Sequence, residues 1–489
     1  MSQRGQLRRR SAVVDFGHAL VQAVLNRLLH ARDSRFVAEA LQDCVAALAK
    51  AQTVGVEMPL QLQFDGLRLC HDGRALDGPS LQAHPLLERC AEREVAMLSF
   101  GPQLGTTELN RLLDLLLLPE NVEALKRGHR QATLCAFGIK HVKVTLGSPA
   151  DPDNPTRRLA DDDSALQHYQ QLATALQDNH RLAHGDHELA LDRAATAVEA
   201  SLAEFDEPSM LLSLSMPDDV DRFTVGHSVR VALLALQVAR GLGASRDQLV
   251  RVGAAALMHD IGKSKVPQEV LFKQGRLTAD EWHWMEQHPR LGAQILIEQH
   301  EHVDPRTIGA AFCHHMGPTR GYPEPMMPMQ PSATSSLIRV CDVFEALTAV
   351  RPYKRALTPI EAFAVMHRNP GDFDARWLNS FVRTLGLFPT GTRVQLVDGS
   401  DGVVVAQGAH LLRPHVRLLT GPEGAALPDG HPGGITVGEP FEGAVPQIAC
   451  VITHDRELPI PDFDPLDPAE HGPCAHDACL SHHDHDPAR

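Results

Sequence analysis

The chain has 489 residues, room for about three domains at ~150 residues each. Its 46 Lys and Arg against 61 Asp and Glu give a net charge of −15, which excludes a protein that coats nucleic acid polymers or an anionic membrane by long-range attraction. Hydrophobic residues at 43% and charged residues at 22% are those of an ordinary globular protein. No apolar run approaches the ~20 residues of a membrane span, and nine scattered cysteines fit reduced thiols in a cytoplasmic setting.

Residues 12–52 read as one long helix, with Val21, Leu25, Leu28 and Leu29 and then Val37, Leu41, Val45 and Leu48 at helical spacing. The period becomes two at Leu60, Leu62 and Phe64 and resumes at Leu67 and Leu69, which predicts a hairpin turning near Asp65 and Gly66. Strands are expected at 95–100 and 141–146. An amphipathic helix over about 107–118 separates them, with Thr106 or Thr107 as its N-cap. Residues 1–146 are thus expected to form a small α/β domain, regulatory or interactive, with no catalytic constellation.

Residues 147–207 begin as a Pro- and acid-rich linker and continue as two helical stretches, 164–180 and 186–204. Residues 164–204 suit a homodimerising stalk and suit packing on the next domain equally well. His180, among these connecting helices, is expected to have no effect on bound metal. Residues 208–386 read as nearly all helix. The stretch 228–240 stops at Gly241-Leu242-Gly243, a Gly-x-Gly that follows a helix and so is a poor nucleotide-binding fingerprint. The stretch 246–259 is the most apolar helix here. Residues 387–455 switch to short alternating strands, at 394–396, 402–405 and 416–419, and predict a small β cap. Residues 456–489, rich in His, Asp and Pro, read as a disordered tail. Its His471, Cys474, His476, Cys479, His482, His483 and His485 offer a metal-binding composition as the alternative. The expected fold is mainly α, with a small N-terminal α/β domain and a small C-terminal β segment.

The 28 histidines of the chain are unusual, and their placement is informative. His227 opens a helix, His259-Asp260 ends an apolar one, His288 follows Met285, His314-His315 ends a third, and Asp342 lies inside a fourth between Cys341 and Val343. A carboxylate facing an apolar core costs several kcal/mol unless paired or metal-bound. One metal site accounts for all of these positions together. Imidazole and carboxylate donors suit iron, manganese, nickel or zinc, and the lack of cysteine partners argues against a structural zinc site. A carboxylate can bridge two ions, which then share a hydroxide nucleophile and clamp a phosphate. Lys263, three residues after Asp260, falls on the same helix face if the helix continues, where its charge stabilises phosphoryl oxygens.

The segment 208–386 resembles the HD-GYP domain, a branch of the HD phosphohydrolases that hydrolyses cyclic di-GMP. The resemblance rests on HSVRV at 227–231, HDIGKSKVPQEVLFKQGRLTADEW at 259–282, HPRLGAQIL at 288–296, HH at 314–315, GYP at 321–323 and DVFEALTAVRPYKRALTPIEA at 342–362. It continues in FD at 373–374 and GLFPTGTRVQL at 386–396, and covers about 40% of the chain. The resemblance implies an HD-type helical fold with a centre of two or three metals. His227, His259 and Asp342 would hold one ion, His288, His314 and His315 the other, and Asp260 would bridge them. Lys263 would contact the scissile phosphate, Arg351 and Lys354 would anchor the ligand's phosphates, and Tyr322 would line the guanine side. Two divalent ions (Fe, Mn or Ni) are expected in place of three, because Phe223 stands where trimetal members carry Glu.

The chain also departs from the family loop HHExxDGxGYP. It reads HHMGPTRGYP, one residue shorter, with Met316 and Gly317 in place of Glu and Arg. The function expected from the resemblance is metal-dependent hydrolysis of cyclic di-GMP to pGpG, or on to GMP. The alternatives are a catalytically weak cyclic di-GMP receptor or scaffold, and an HD phosphohydrolase acting on another nucleotide.

Overall fold

The computed structural model describes residues 3–126, 130–147, 163–202, 224–271, 273, 277–299, 303–349, 356–369, 371–422, 425, 427, 433–441 and 443–452. Arg351 and Lys354, Phe223, most of the 147–163 linker and the His- and Cys-bearing tail lie outside these residues. The chain divides into two compact units, 1–170 and 171–489, and the division falls inside the helix Asp163–His184.

In the first unit the predicted single helix over 12–52 is two helices, Gln3–Leu29 and Arg35–Thr53. The break has a local cause. Ser34 adopts an extended conformation and accepts a hydrogen bond from the Val37 amide, which starts a new helix in place of continuing the old one. Contrary to the expectation that no apolar run could span a membrane, residues Arg8–Leu29 are long and apolar enough to do so by length and composition. Phe16, Leu20, Val24 and Leu25 of that helix are buried in the core of the unit.

A five-stranded sheet in the order β3-β2-β1-β4-β5 completes the unit, with β1 Leu60–Phe64, β2 Leu69–His71, β3 Arg74–Ala75, β4 Val95–Phe100 and β5 Val142–Leu146. All its pairs are antiparallel. The hairpin at Asp65 and Gly66 forms as the alternation predicts. The helix before β5 runs Thr106–Leu117, and its N-cap is Gly105, which offers no side-chain bond, so neither Thr106 nor Thr107 caps it.

The second unit is built around the helix Ala333–Thr348. Every residue of this helix from Leu337 to Thr348 is buried, so it is surrounded on all faces. The helices Thr224–Gly241, Arg246–Met258, Pro305–Cys313, Pro359–Arg368 and Ala375–Leu385 pack against it. Side-chain caps fix several of their starts: Ser245 and Thr358 form capping boxes, and Asp304, Ser332 and Asp374 each accept an amide N–H. After Gly386 the chain forms an antiparallel sheet of β6 Arg393–Leu396, β7 Asp401–Ala406, β8 His415–Leu418, β9 Gly434–Thr436 and β10 Ile448–Val451, in the order β10-β6-β7-β8-β9. The sheet has its own small core of Val394, Leu396, Val404, Val416 and Ile435. The sequence pattern predicts three of its strands. The other two, β9 and β10, each follow a Gly- and Pro-rich run, which hides the alternation.

Candidate metal centre

Five elements of the second unit converge on one buried point. His227 comes from the first turn of its helix, His259 is the C-cap residue of Arg246–Met258, and His288 opens the helix His288–Glu298. His314 caps the end of Pro305–Cys313 with His315 directly behind it, and Asp342 comes from the central helix. His259, Asp260, His288, His314, His315 and Asp342 have no solvent exposure, and His227 has almost none.

The donor atoms fall into two sets, His227, His259 and Asp342 in one and Asp260, His288, His314 and His315 in the other, each within a 4.8 Å span. Asp260 faces both sets. Its Oδ1 lies 3.2 Å from His288 Nε2 and 3.6 Å from His314 Nε2, while its Oδ2 lies 3.4 Å from His259 Nε2 and 3.8 Å from His227 Nε2.

Backbone carbonyls orient the imidazoles. Nδ1 of His259 lies 2.7 Å from the Ala256 carbonyl, Nδ1 of His288 lies 2.7 Å from that of Met285, and Nδ1 of His314 lies 2.9 Å from that of Ala311. A carbonyl only accepts, so Nδ1 carries the proton, and Nε2 of each neutral ring is a bare lone pair. Yet His288 Nε2 and His314 Nε2 stand 3.2 Å apart, and His315 Nε2 is 3.2 Å from His288 Nε2. His259 Nε2, fully buried, makes no hydrogen bond at all. Converging lone pairs are unfavourable alone and favourable around a cation, so these residues fit divalent metal.

Electrostatics sort the groups. Burial pushes His259 down to about 4 and lowers His288 and His314, so these rings are neutral. Burial opposes charge on His227 too, but the Glu345 and Asp342 carboxylates beside it outweigh that and raise it to about 10. Burial likewise works against the charge on Asp260, but the Lys263 ammonium and the surrounding imidazoles hold its carboxyl well below the usual range.

The helix carrying His259 does not continue to Lys263. It ends at Met258, and residues Ile261–Lys265 form a 3-10 turn. The tighter turn still brings i and i+3 together, because it has three residues per turn. Lys263 Nζ donates to Asp260 Oδ2 at 2.5 Å, and the lysine is buried. Gly262 permits this placement: a Cβ there would meet the His288 carbonyl oxygen at 1.9 Å and the Gly292 amide nitrogen at 2.4 Å.

Tyr322 packs over the rim, its ring stacked on His315 with centroids 4.5 Å apart and edge-on to Trp282 at 6.0 Å. Trp284 is half exposed. The short loop between His315 and Tyr322 is clamped from outside. Arg320 donates from Nε and Nη2 to the two carboxylate oxygens of Asp372, and the Gly317 amide donates to the Arg320 carbonyl at 2.7 Å.

Three residues of this neighbourhood escape the sequence pattern. Glu345 is buried, lies 2.5 Å from His227 Nδ1 and pairs with Arg230 at 2.5 Å. A second acid three residues after Asp342 in an apolar helix was its signal. Asp372 has no such signal, because its role depends on a loop fold. His180, expected only to leave bound metal unchanged, is buried and feels the charges of Asp260, Lys263 and His259.

Comparison with known proteins agrees with this geometry. Residues 214–376 match the family model of the HD domain. The chain is 37% identical over 224 residues to a cyclic di-GMP phosphodiesterase of Pseudomonas aeruginosa, covering 45% of this chain and 54% of that protein. It is 34% identical over 156 residues to a cyclic di-GMP phosphodiesterase response regulator of Xanthomonas campestris, covering 32% and 41%. It is also 34% identical over 180 residues to a 3'3'-cGAMP-specific phosphodiesterase of Vibrio cholerae, covering 37% and 39%. The chain spans about half the length, or less, of these curated relatives. Its helical segment is an HD domain with a buried His/Asp cluster suited to divalent metal.

Proposed function

We propose that this chain is a metal-dependent phosphodiesterase that opens cyclic di-GMP to linear pGpG at a two-metal centre. The observation that carries the reading is Asp260, whose two oxygens face two separate sets of converging donors. His227, His259 and Asp342 would hold one ion and His288, His314 and His315 the other, with Asp260 between them. Iron, manganese and nickel all suit this donor set. Divalent ions bound there supply Lewis acidity and lower the pKa of water, which makes hydrolysis accessible at neutral pH.

The chain's own residues do the rest. Carbonyl-anchored imidazoles keep their lone pairs inward. Lys263, buried beside Asp260, presents a fixed positive charge where phosphoryl charge would grow, and a charge shielded from water acts strongly. Arg351 and Lys354 would hold ligand phosphates, and Tyr322 would flank the base. The names of the relatives support a cyclic dinucleotide as substrate, and the altered 316–321 loop favours weak binding.

The test is turnover of cyclic di-GMP, 3'3'-cGAMP and linear dinucleotides by protein loaded anaerobically with Fe or Mn. The products are separated by chromatography and bound metal is counted per chain. Appearance of pGpG with two ions per chain supports the reading. Tight cyclic di-GMP binding without turnover would make the protein a receptor, and faster turnover of another nucleotide would reassign its substrate.

A further inference from the structure

The C-terminal end of the helix Asp163–His184 is fastened to the turn that carries Lys263. His184 Nδ1 lies 3.0 Å from the Ser264 carbonyl oxygen. Lys265 Nζ donates to the His184 carbonyl at 3.3 Å and to the Asp186 carboxylate at 2.5 Å. His180 precedes His184 by four residues and so shares its helix face. Its Nε2 is closed off from solvent and has no hydrogen-bond partner. A buried polar nitrogen left unpaired costs about 1–3 kcal/mol, so its retention needs a reason.

We propose that His180 is a substrate-binding residue of the metal centre, donating a hydrogen bond from Nε2 to a phosphoryl oxygen held beside Lys263. The inference rests on the phosphodiesterase reading above and adds a second donor to it, from a helix outside the family-matched residues 214–376. The surroundings suit a neutral donor. Burial lowers His180 to about 4 despite the Asp260 carboxylate, and Lys263 and His259 act in the same direction as burial. A neutral imidazole can donate to a phosphate without adding a charge to a site already crowded with cations. It also complements the Lys263 ammonium, which is a point charge with little directional preference.

The experiment compares wild type, His180→Ala and His180→Gln as full-length, Mn-loaded chains. Three quantities are read: bound Mn, affinity for inorganic phosphate by calorimetry, and kcat and KM for bis(4-nitrophenyl) phosphate and cyclic di-GMP. The alanine variant is expected to keep its Mn and its melting temperature. It should bind phosphate about tenfold more weakly and lose about tenfold in kcat/KM, the scale of one hydrogen bond to a charged group. Glutamine, which retains an N–H donor, should recover part of both. Wild-type phosphate affinity in the alanine variant overturns the proposal, as does loss of Mn in step with activity, or a glutamine variant as weak as alanine. If wild type cleaves the nitrophenyl diester but not cyclic di-GMP, the substrate reading fails alone, and phosphate affinity still decides the role of His180.

Discussion

Glu345 Oε2 lies 2.5 Å from Nδ1 of His227, across 118 residues of sequence, and the same carboxylate takes Arg230 on its other oxygen. Like the backbone carbonyls at His259, His288 and His314, this carboxylate fixes a proton on Nδ1 and turns Nε2 toward Asp342, 3.0 Å away, but unlike them it also favours the charged ring. Removing such an orienting group commonly costs ten- to a hundredfold in metal affinity. Glu345→Gln should therefore lower metal affinity by about that factor while leaving the helix intact, as read by competition with a chelator and by circular dichroism. Unchanged affinity would show that His227 is oriented by packing alone.

Asp260 and Lys263 are bonded to each other but should fail differently. Asp260→Ala removes the one carboxylate that faces both donor sets, so bound metal and activity should fall together, as they should in His259→Ala. Lys263→Ala should keep its metal and lose about 10²–10³ in kcat, the cost of removing one preorganised group from developing charge. Metal analysis beside steady-state kinetics separates the two cases. Parallel loss of metal and turnover in Lys263→Ala would make the lysine structural.

Gly262 tests the backbone beneath the site. The nearest atoms to an added Cβ are backbone, at 1.9 and 2.4 Å, and backbone cannot step aside as a flexible side chain does. Gly262→Ala should push the Ile261–Lys265 turn off the His288 helix. The expected result is destabilisation at or above the usual ~1–3 kcal/mol of overpacking, with weakened metal binding. A variant with wild-type melting temperature and metal content would show that the two segments separate at little cost.

The first unit offers a pH-dependent test away from the metal. Glu108 accepts the amides of Lys140 and His141 and lies 2.8 Å from His141 Nδ1. Burial opposes its charge, but these bonds win and lower its pKa. A depressed folded-state value means that the stabilisation is present above the ordinary carboxylate pKa and is lost as pH falls through the folded value. Glu108→Gln should thus speed amide exchange in β5 at neutral pH, and the difference from wild type should shrink in acid. A difference that persists at low pH would place the effect in shape, not charge.

Much of this was legible because the candidate metal donors are polar residues stranded in apolar helices, which a one-dimensional pattern exposes. The alternation of Leu60, Leu62 and Phe64 and the burial of Asp342 belong to the same kind of signal. What stayed hidden depends on chain geometry. The break at Ser34 sits inside an unbroken helical period, because a cap needs only one residue to leave it. The end of the helix at Met258 is likewise invisible, since a 3-10 turn keeps i and i+3 aligned. His180 gave no signal because the groups that act on it, His259, Asp260 and Lys263, lie far along the chain, on the other side of the contact between His184 and Ser264.

The last prediction concerns the loop between His315 and Tyr322. Met316 and Gly317 replace residues that carry charged contacts in the family pattern, so weak substrate binding is expected, expressed in KM more than in kcat. Point replacement will not restore it. A Cβ at Gly317 would meet the Asp372 carbonyl oxygen at 2.8 Å and the Arg320 carbonyl oxygen at 2.9 Å, both backbone atoms. Met316 is itself buried. Gly317→Arg should therefore disturb the Arg320–Asp372 clamp and raise KM further. Arg320→Ala, which frees the same loop without steric conflict, should also raise KM with little change in kcat. Rebuilding the whole segment to HHExxDGxGYP, with its additional residue, relieves the crowding and should lower KM at nearly constant kcat. Steady-state kinetics on the three variants decides the point. A Gly317→Arg protein that binds cyclic di-GMP more tightly than wild type would show that the clamp yields, and that the missing charge alone limits affinity.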